Sequence, residues 1–152
     1  MSNRNKTTAF PDCYLDDIVE THRQMFSMVR EYIYDIDEVW FIENYLSSET
    51  FKKLCEGNFI YLNKTPDELL DSFMKDIKGV YKKGDKEFFG GFFFEWLGEL
   101  LMFIAWYTGE PCTGLFKKLG IRKFFEVYMK FQLNEFEDVY NILVEKCNSL
   151  ES

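Results

Sequence analysis

From Pro11 onward apolar residues recur at three- and four-residue intervals, at Leu15, Ile18, Val19, Met25, Phe26, Val29, Ile33 and Ile36. That spacing places them on one face of a helix with 3.6 residues per turn. Pro11 stands where a first-turn proline loses no hydrogen bond, and acids follow it. Val39, Trp40, Ile42 and Leu46 predict a second helix. Ser47 or Ser48 then offers a cap for a short helix in ETFKKLCEG, with Gly57 at its end. The clearest start signal lies in TPDELLDSFMKDIKG, where Thr65 caps, Pro66 takes the first position, Glu68 completes a capping box and Gly79 stops the helix. The polar start, residues 1–10, is expected to be flexible, residues 11–148 to form a single helical domain, and residues 149–152 a loose tail.

After the turn-like YKKGDKE comes EFFGGFFFEWLGELLMFIAWYTGE, Glu87 to Glu110. Its length and apolar content raise the question of a membrane span. Two acids near the centre of a span would cost about 5–7 kcal/mol, against a return of about 0.3–0.6 kcal/mol from each Leu or Phe. No second span exists to supply partners for Glu95 and Glu99, so the pattern predicts a buried helix instead. On a helical projection Glu87, Gly91, Glu95, Gly98 or Glu99, and Met102 share one stripe, and large apolar residues, among them Phe88, Phe92, Phe93, Trp96 and Leu100, fill the rest. Glycine inside a helix costs about 0.5–1 kcal/mol relative to alanine, which is tolerated where a backbone or a ligand must come close. The stripe therefore has two readings. It faces water, with Glu95 and Glu99 keeping the surface polar, or it lines a cleft in which the acids hold a cation, an arginine or a polar ligand. Arg23, Arg30 and Arg122 are the internal candidates for pairing.

TGLFKKLG then reads as a short helix, IRKFFEVYMKFQL as a longer one with a strand as the lesser alternative, and Asn134 as the cap of the last helix, EFEDVYNILVEKC. No segment shows two-residue alternation with hairpin turns. The expected fold class is all-α, a compact multi-helix bundle around a central aromatic-rich helix. FIENYLSSETFKKL (Phe41 to Leu54) is echoed by FIAWYTGEPCTGLFKKL (Phe103 to Leu119). That echo is either a duplicated helix–short helix–helix unit or a coincidence in a chain rich in Phe and Lys.

Composition narrows the function. With 17 Phe, 9 Tyr and 3 Trp in 152 residues, the chain can build a core of interlocking rings. Any apolar side chains left outside in a patch would mark a protein–protein contact. The net charge of −8 argues against nucleic acid, whose phosphates call for a basic face, and suits a partner with a basic surface. The small basic clusters YKKGDKE and FKKL are read as solvated faces. Cys13, Cys55, Cys112 and Cys147 are widely scattered and His22 is the only histidine, so neither a zinc site nor a cysteine–histidine dyad is expected. The N-terminal sequence has no apolar signal core, and free thiols suit the cytoplasm. His22 itself is read as a surface or edge histidine. No phosphate loop, GxSxG, HExxH or calcium loop occurs. Catalytic residues, cofactors and metals are therefore not expected, although Glu95 and Glu99, one turn apart with Cβ atoms roughly 6 Å from each other, keep carboxylate chemistry open.

From Glu87 onward, EFFGGFFFEWLGELLMFIAWYTGEPCTGLFKKLGIRKFFEVYMKFQ resembles small bacterial helical proteins that accompany toxin-type genes. In those proteins an aromatic helix ending near a Thr-Gly or Tyr-Gly step precedes a short helix and a Phe/Tyr-rich segment. Their Tyr-Trp and Pro-Ala-His elements are absent here, and the resemblance transfers no functional residue. Acidity, size, the aromatic surplus and the absence of catalytic motifs point to a non-catalytic interaction protein, most concretely of the immunity-protein, antitoxin or phage-inhibitor kind, binding another protein, with a homodimer left open. The alternative is a small-molecule-binding or enzymatic domain with its pocket on the Glu95–Glu99 strip, served by Gly91, Gly98 and Arg122. A third class is a peripheral membrane module that uses the aromatic helix at the interface, which the chain's acidity disfavours on anionic lipid.

Overall fold

Asp16 and Asp17 in its first turn and Arg30 in its last complement the dipole of helix α1 (Leu15–Tyr32). Ile18, His22, Met25, Phe26 and Val29 form its buried face. The computed structural model describes residues 8–84 and 91–150. A single 3-10 turn (Asp12–Tyr14) leads into α1, so regular helix starts four residues after Pro11. Helices α2 (Glu38–Leu46) and α3 (Glu49–Cys55) begin at side-chain caps. Asp37 accepts from the Trp40 amide at 2.9 Å and Ser48 from the Phe51 amide at 3.1 Å. A four-residue helix, α4 (Phe59–Leu62), has no apolar periodicity long enough to announce it and is nucleated by Asn58, which accepts from the Ile60 amide. In α5 (Pro66–Asp76) the expected capping box is present in full, Thr65 and Glu68 each bonding the other's backbone amide.

The aromatic stretch forms α6 (Gly91–Thr108). It is followed by α7 (Thr113–Leu119), α8 (Ile121–Phe131) and α9 (Phe136–Leu150). Among the described residues the chain is all-α, its only β feature being an isolated bridge between Ile36 and Lys83. That bridge ties YKKG to the α1–α2 corner, where Lys82 and Lys83 pair with Asp37 and Asp35 at 3.7 and 3.5 Å. Asn134 does not cap α9. The first intrahelical bond, from the Val139 amide, is accepted by Glu135, which stands in the cap position. Helix α9 continues through Ser149 and Leu150, two residues expected in the loose tail.

Helix α6 is the shared wall of two ring clusters. On one side Phe94 meets Phe26 at 4.9 Å between centroids, and Phe26 meets Phe41, which in turn meets Phe73. On the other side Phe93, Trp96 and Phe103 pack on Phe125, Tyr128 and Phe136 of α8 and α9. Its most extensive contact is with α1. The expected burial fails at Phe92, which is 81% exposed at the start of α6; Glu87, Phe88 and Phe89 lie outside the described residues. Among the described residues no helix is long and apolar enough to cross a membrane.

The FKKL echo has a structural counterpart. In both copies Phe and Leu are buried on a seven-residue helix, Phe51 and Leu54 on α3, Phe116 and Leu119 on α7. Helix α3 packs on α5 as α7 packs on α9, so the order helix, short helix, third helix, acid-rich helix occurs twice. Residues 8–10, the described end of the segment expected to be flexible, are tied to the helices. The Ala9 amide donates to the Trp106 carbonyl at 2.9 Å, Trp106 Nε1 donates to the Phe10 carbonyl at 2.8 Å, and Phe10 is buried. Gly57, at φ +72°, gives the strap room, since a Cβ there would lie 2.8 Å from the Ala9 carbonyl oxygen.

Candidate functional site

The glycine-notched strip of α6 turns toward α1. A Cβ on Gly98 would lie 2.7 Å from the Phe26 ring and 3.0 Å from the His22 carbonyl, so this glycine is the notch that lets the two helices close. Gly98→Ala is expected to lower unfolding free energy by about 1–3 kcal/mol despite alanine's better helix propensity, because ring and backbone must both give way. Urea denaturation of the two proteins measures it, and an unchanged midpoint would show that the helices separate freely here.

Beside that notch Arg23 reaches from α1 between the acids. Its Nε donates to Glu20 at 3.0 Å, Nη2 also bonds Glu20, and Nη1 lies 3.5 Å from Glu95. The Arg23 hydrogen bonds, followed by one from Gln24, hold the Glu20 carboxyl at about 2. Glu99 is half-buried, and desolvation raises its pKa while the charge of Arg23 opposes the rise. Of the three candidate arginines it is thus Arg23 that meets Glu95. Gly91 opens α6, and Arg122 is exposed on α8. The strip is an internal seam with its cation built in, and neither acid lines either of the two clefts described below.

His22 is not at the surface. It is 1% exposed, with Nδ1 2.9 Å from the Ile18 carbonyl and Nε2 2.7 Å from the Tyr45 hydroxyl. A carbonyl can only accept, so Nδ1 carries the proton and Tyr45 donates to Nε2. Both ring nitrogens of a neutral imidazole are satisfied, and burial pushes the pKa down to about 4. Its place among the helical core positions, between Ile18 and Met25, was the signal for burial. Polar character alone misled, because a neutral histidine with two partners is tolerated in a core.

The larger opening lies elsewhere. The 3-10 turn with the start of α1, the C-terminal half of α6 and the start of α9 enclose an open groove of about 590 Å³. Its floor is aromatic: Phe103, Trp106, Tyr107 and Phe136 are all half-buried. Phe103 stacks on Tyr107 at 5.5 Å and 18°, and lies 5.7 Å from both Trp106 and Phe136. The polar ends of two rings are already engaged, Trp106 Nε1 by Phe10 and the Tyr107 hydroxyl by Glu137 at 3.1 Å. Exposed carboxylates stand on both banks, Asp12 and Asp16 on one, Glu135 and Glu137 on the other. None of the ten lining residues is Lys or Arg. Sequence reasoning missed this groove because its banks lie more than a hundred positions apart in the chain. The run FIAWY and the acids beside Tyr14 and Phe136 were the local traces of it.

A second cleft of about 370 Å³ lies between Leu46, Ser48, Lys52 and Cys55 on one side and Gly109, Pro111 and Thr113 on the other. Burial pushes the Cys55 thiol up to about 12, and likewise Cys112, so both are protonated at neutral pH and poor nucleophiles. All four cysteines are unpaired. Among the described residues no three His, Cys, Asp or Glu side chains converge to hold a metal ion. No family model, curated protein or solved structure matches this chain.

Proposed function

We propose that the chain is a non-catalytic interaction protein that binds the basic surface of another protein through the groove between α1, α6 and α9. The observation that carries this reading is the pairing of a fixed aromatic floor with carboxylates on both banks and, among the described residues, no lining cation. Rings supply contact area at small entropic cost, as at protein interfaces generally. The acidic rim and the net charge of −8 speed encounter with a basic surface and select for it. The most concrete version is an immunity protein, antitoxin or phage-encoded inhibitor, acting in the cytoplasm, where four unpaired thiols would persist. The alternative, a ligand pocket on the Glu95–Glu99 strip, is less favoured because Arg23 already lies against Glu95.

The test compares affinity capture from source cells by the natural chain with capture by Asp16→Lys/Glu137→Lys. Both positions are exposed, so the substitutions leave the core intact. The expected result is a basic protein retained by the first and lost by the second. Capture that is indifferent to the two reversals would overturn the reading.

A further inference from the structure

We infer that the α1–α6 seam is a proton-operated latch, in which three carboxylates share one arginine and protonation of Glu99 draws together the two helices that wall the groove. This deepens the proposed function by naming a regulation of the same groove, and rests on that reading for what the groove does. Arg23 commits Nε and Nη2 to Glu20 and turns Nη1 to Glu95 at 3.5 Å. Glu99, one turn beyond Glu95, lies close enough to feel the charges of Arg23, Glu20 and Glu95. Three negative charges against one positive leave two in excess. All four side chains are half-buried, so that excess is screened less than on an open surface. No side chain at Gly98 props the helices apart, and the charges beside it therefore bear directly on their spacing. Desolvation raises the Glu99 pKa, the charge of Arg23 opposes the rise, and Glu20 and Glu95 add to it. Folding thus favours the protonated carboxyl, and the seam gains stability as pH falls through the raised value. Elsewhere on α6, α9 presents Glu137 and Tyr140 to Tyr107 and α8 presents Tyr128 to Trp96, contacts that add no cation. On α1, Asp16 lies one turn before Glu20, and His22 turns to Tyr45 of α2. Val19 stands one turn before Arg23 and Phe103 one turn after Glu99, and both line the groove. The latch therefore adjoins the groove, where the spacing of α1 and α6 sets the distance between its walls.

The test follows two NMR signals of the full chain as pH is lowered from neutral. One is the Glu99 side-chain carboxyl; the other is the Trp106 indole N–H, which donates to Phe10 at the groove wall. The carboxyl is expected to titrate with a midpoint above 4.5, and the Trp106 signal to move with that same midpoint. Glu95→Gln removes a like charge and is expected to lower the Glu99 midpoint, whereas Arg23→Gln removes the opposing charge and is expected to raise it further. Glu99→Gln mimics the protonated carboxyl, so its Trp106 signal at neutral pH is expected where that of the natural chain arrives only in acid. A Glu99 midpoint at or below 4.5, or one that neither variant moves, would overturn the inference. So would a Trp106 signal that titrates alike in the natural chain and in Glu99→Gln, which would assign the change to Asp16 or Glu137 on the banks or to His22. These readings need no partner. Partner capture indifferent to the groove would sink the proposed function alone, and a failed titration would sink the latch alone.

Discussion

Replacing Phe26 with alanine is expected to remove about 3–5 kcal/mol of stability, the cost of an aromatic truncation that the surroundings cannot refill. Phe26 is fully buried and meets Phe94, Phe41 and Tyr45 at 4.9, 5.2 and 6.2 Å. Its ring also fills the space above Gly98, on the face of α6 that meets α1. Collapse into the vacated volume would need both helices to shift, and their separation is already set by the glycine notch. Urea denaturation should show a lower midpoint with a similar slope. The control is Phe92→Ala, since Phe92 is 81% exposed and its loss should change stability by less than about 0.5 kcal/mol. Similar losses from the two would mean that the α1–α6 contact is not the keystone of the core.

Acidification is the second large effect. His22 has a folded pKa of about 4 against an ordinary value of 6.5, so between those pH values the unfolded chain binds a proton that the folded chain refuses. Stability then falls with falling pH, by about 3 kcal/mol in all at 1.36 kcal/mol per unit. Above pH 6.5 the group is neutral in both states and contributes no slope. Glu20 acts lower down. Its folded value of about 2 lies beneath its ordinary 4.5, so its contribution is present above 4.5 and is lost as pH falls toward 2. Glu99 has the opposite sign, since a raised carboxyl takes up its proton more readily when folded and softens the decline. Denaturation midpoints measured from pH 6.5 down to pH 4 should fall steadily, and His22→Gln should flatten that slope whatever its stability at neutral pH. A slope that persists in the variant would assign the acid sensitivity to the carboxylates instead.

Local chemistry made much of the fold legible. Thr65, Pro66 and Glu68 announce α5 because a capping box satisfies orphan amides wherever it occurs. The α1 stripe is readable because period and burial coincide. Helix α6 was readable as buried, but the direction of its acidic strip was not. Whether Glu95 faces water or another helix depends on Arg23, seventy-two positions away. The groove was less accessible still, since Asp16, Trp106 and Glu137 are brought together only by the packing of α1, α6 and α9. His22 shows the converse limit: its burial depends on Tyr45 supplying a donor from α2.

Helix α6 presents Phe94 to one set of rings and Phe93, Trp96 and Phe103 to the other. Loosening either half would strip solvent protection from a face of this common helix and so undermine the opposite half. Two halves with separate cores would ordinarily be free to melt in turn, like beads on a string. Joined through a single spine, they are bound to lose their structure together, in one cooperative step.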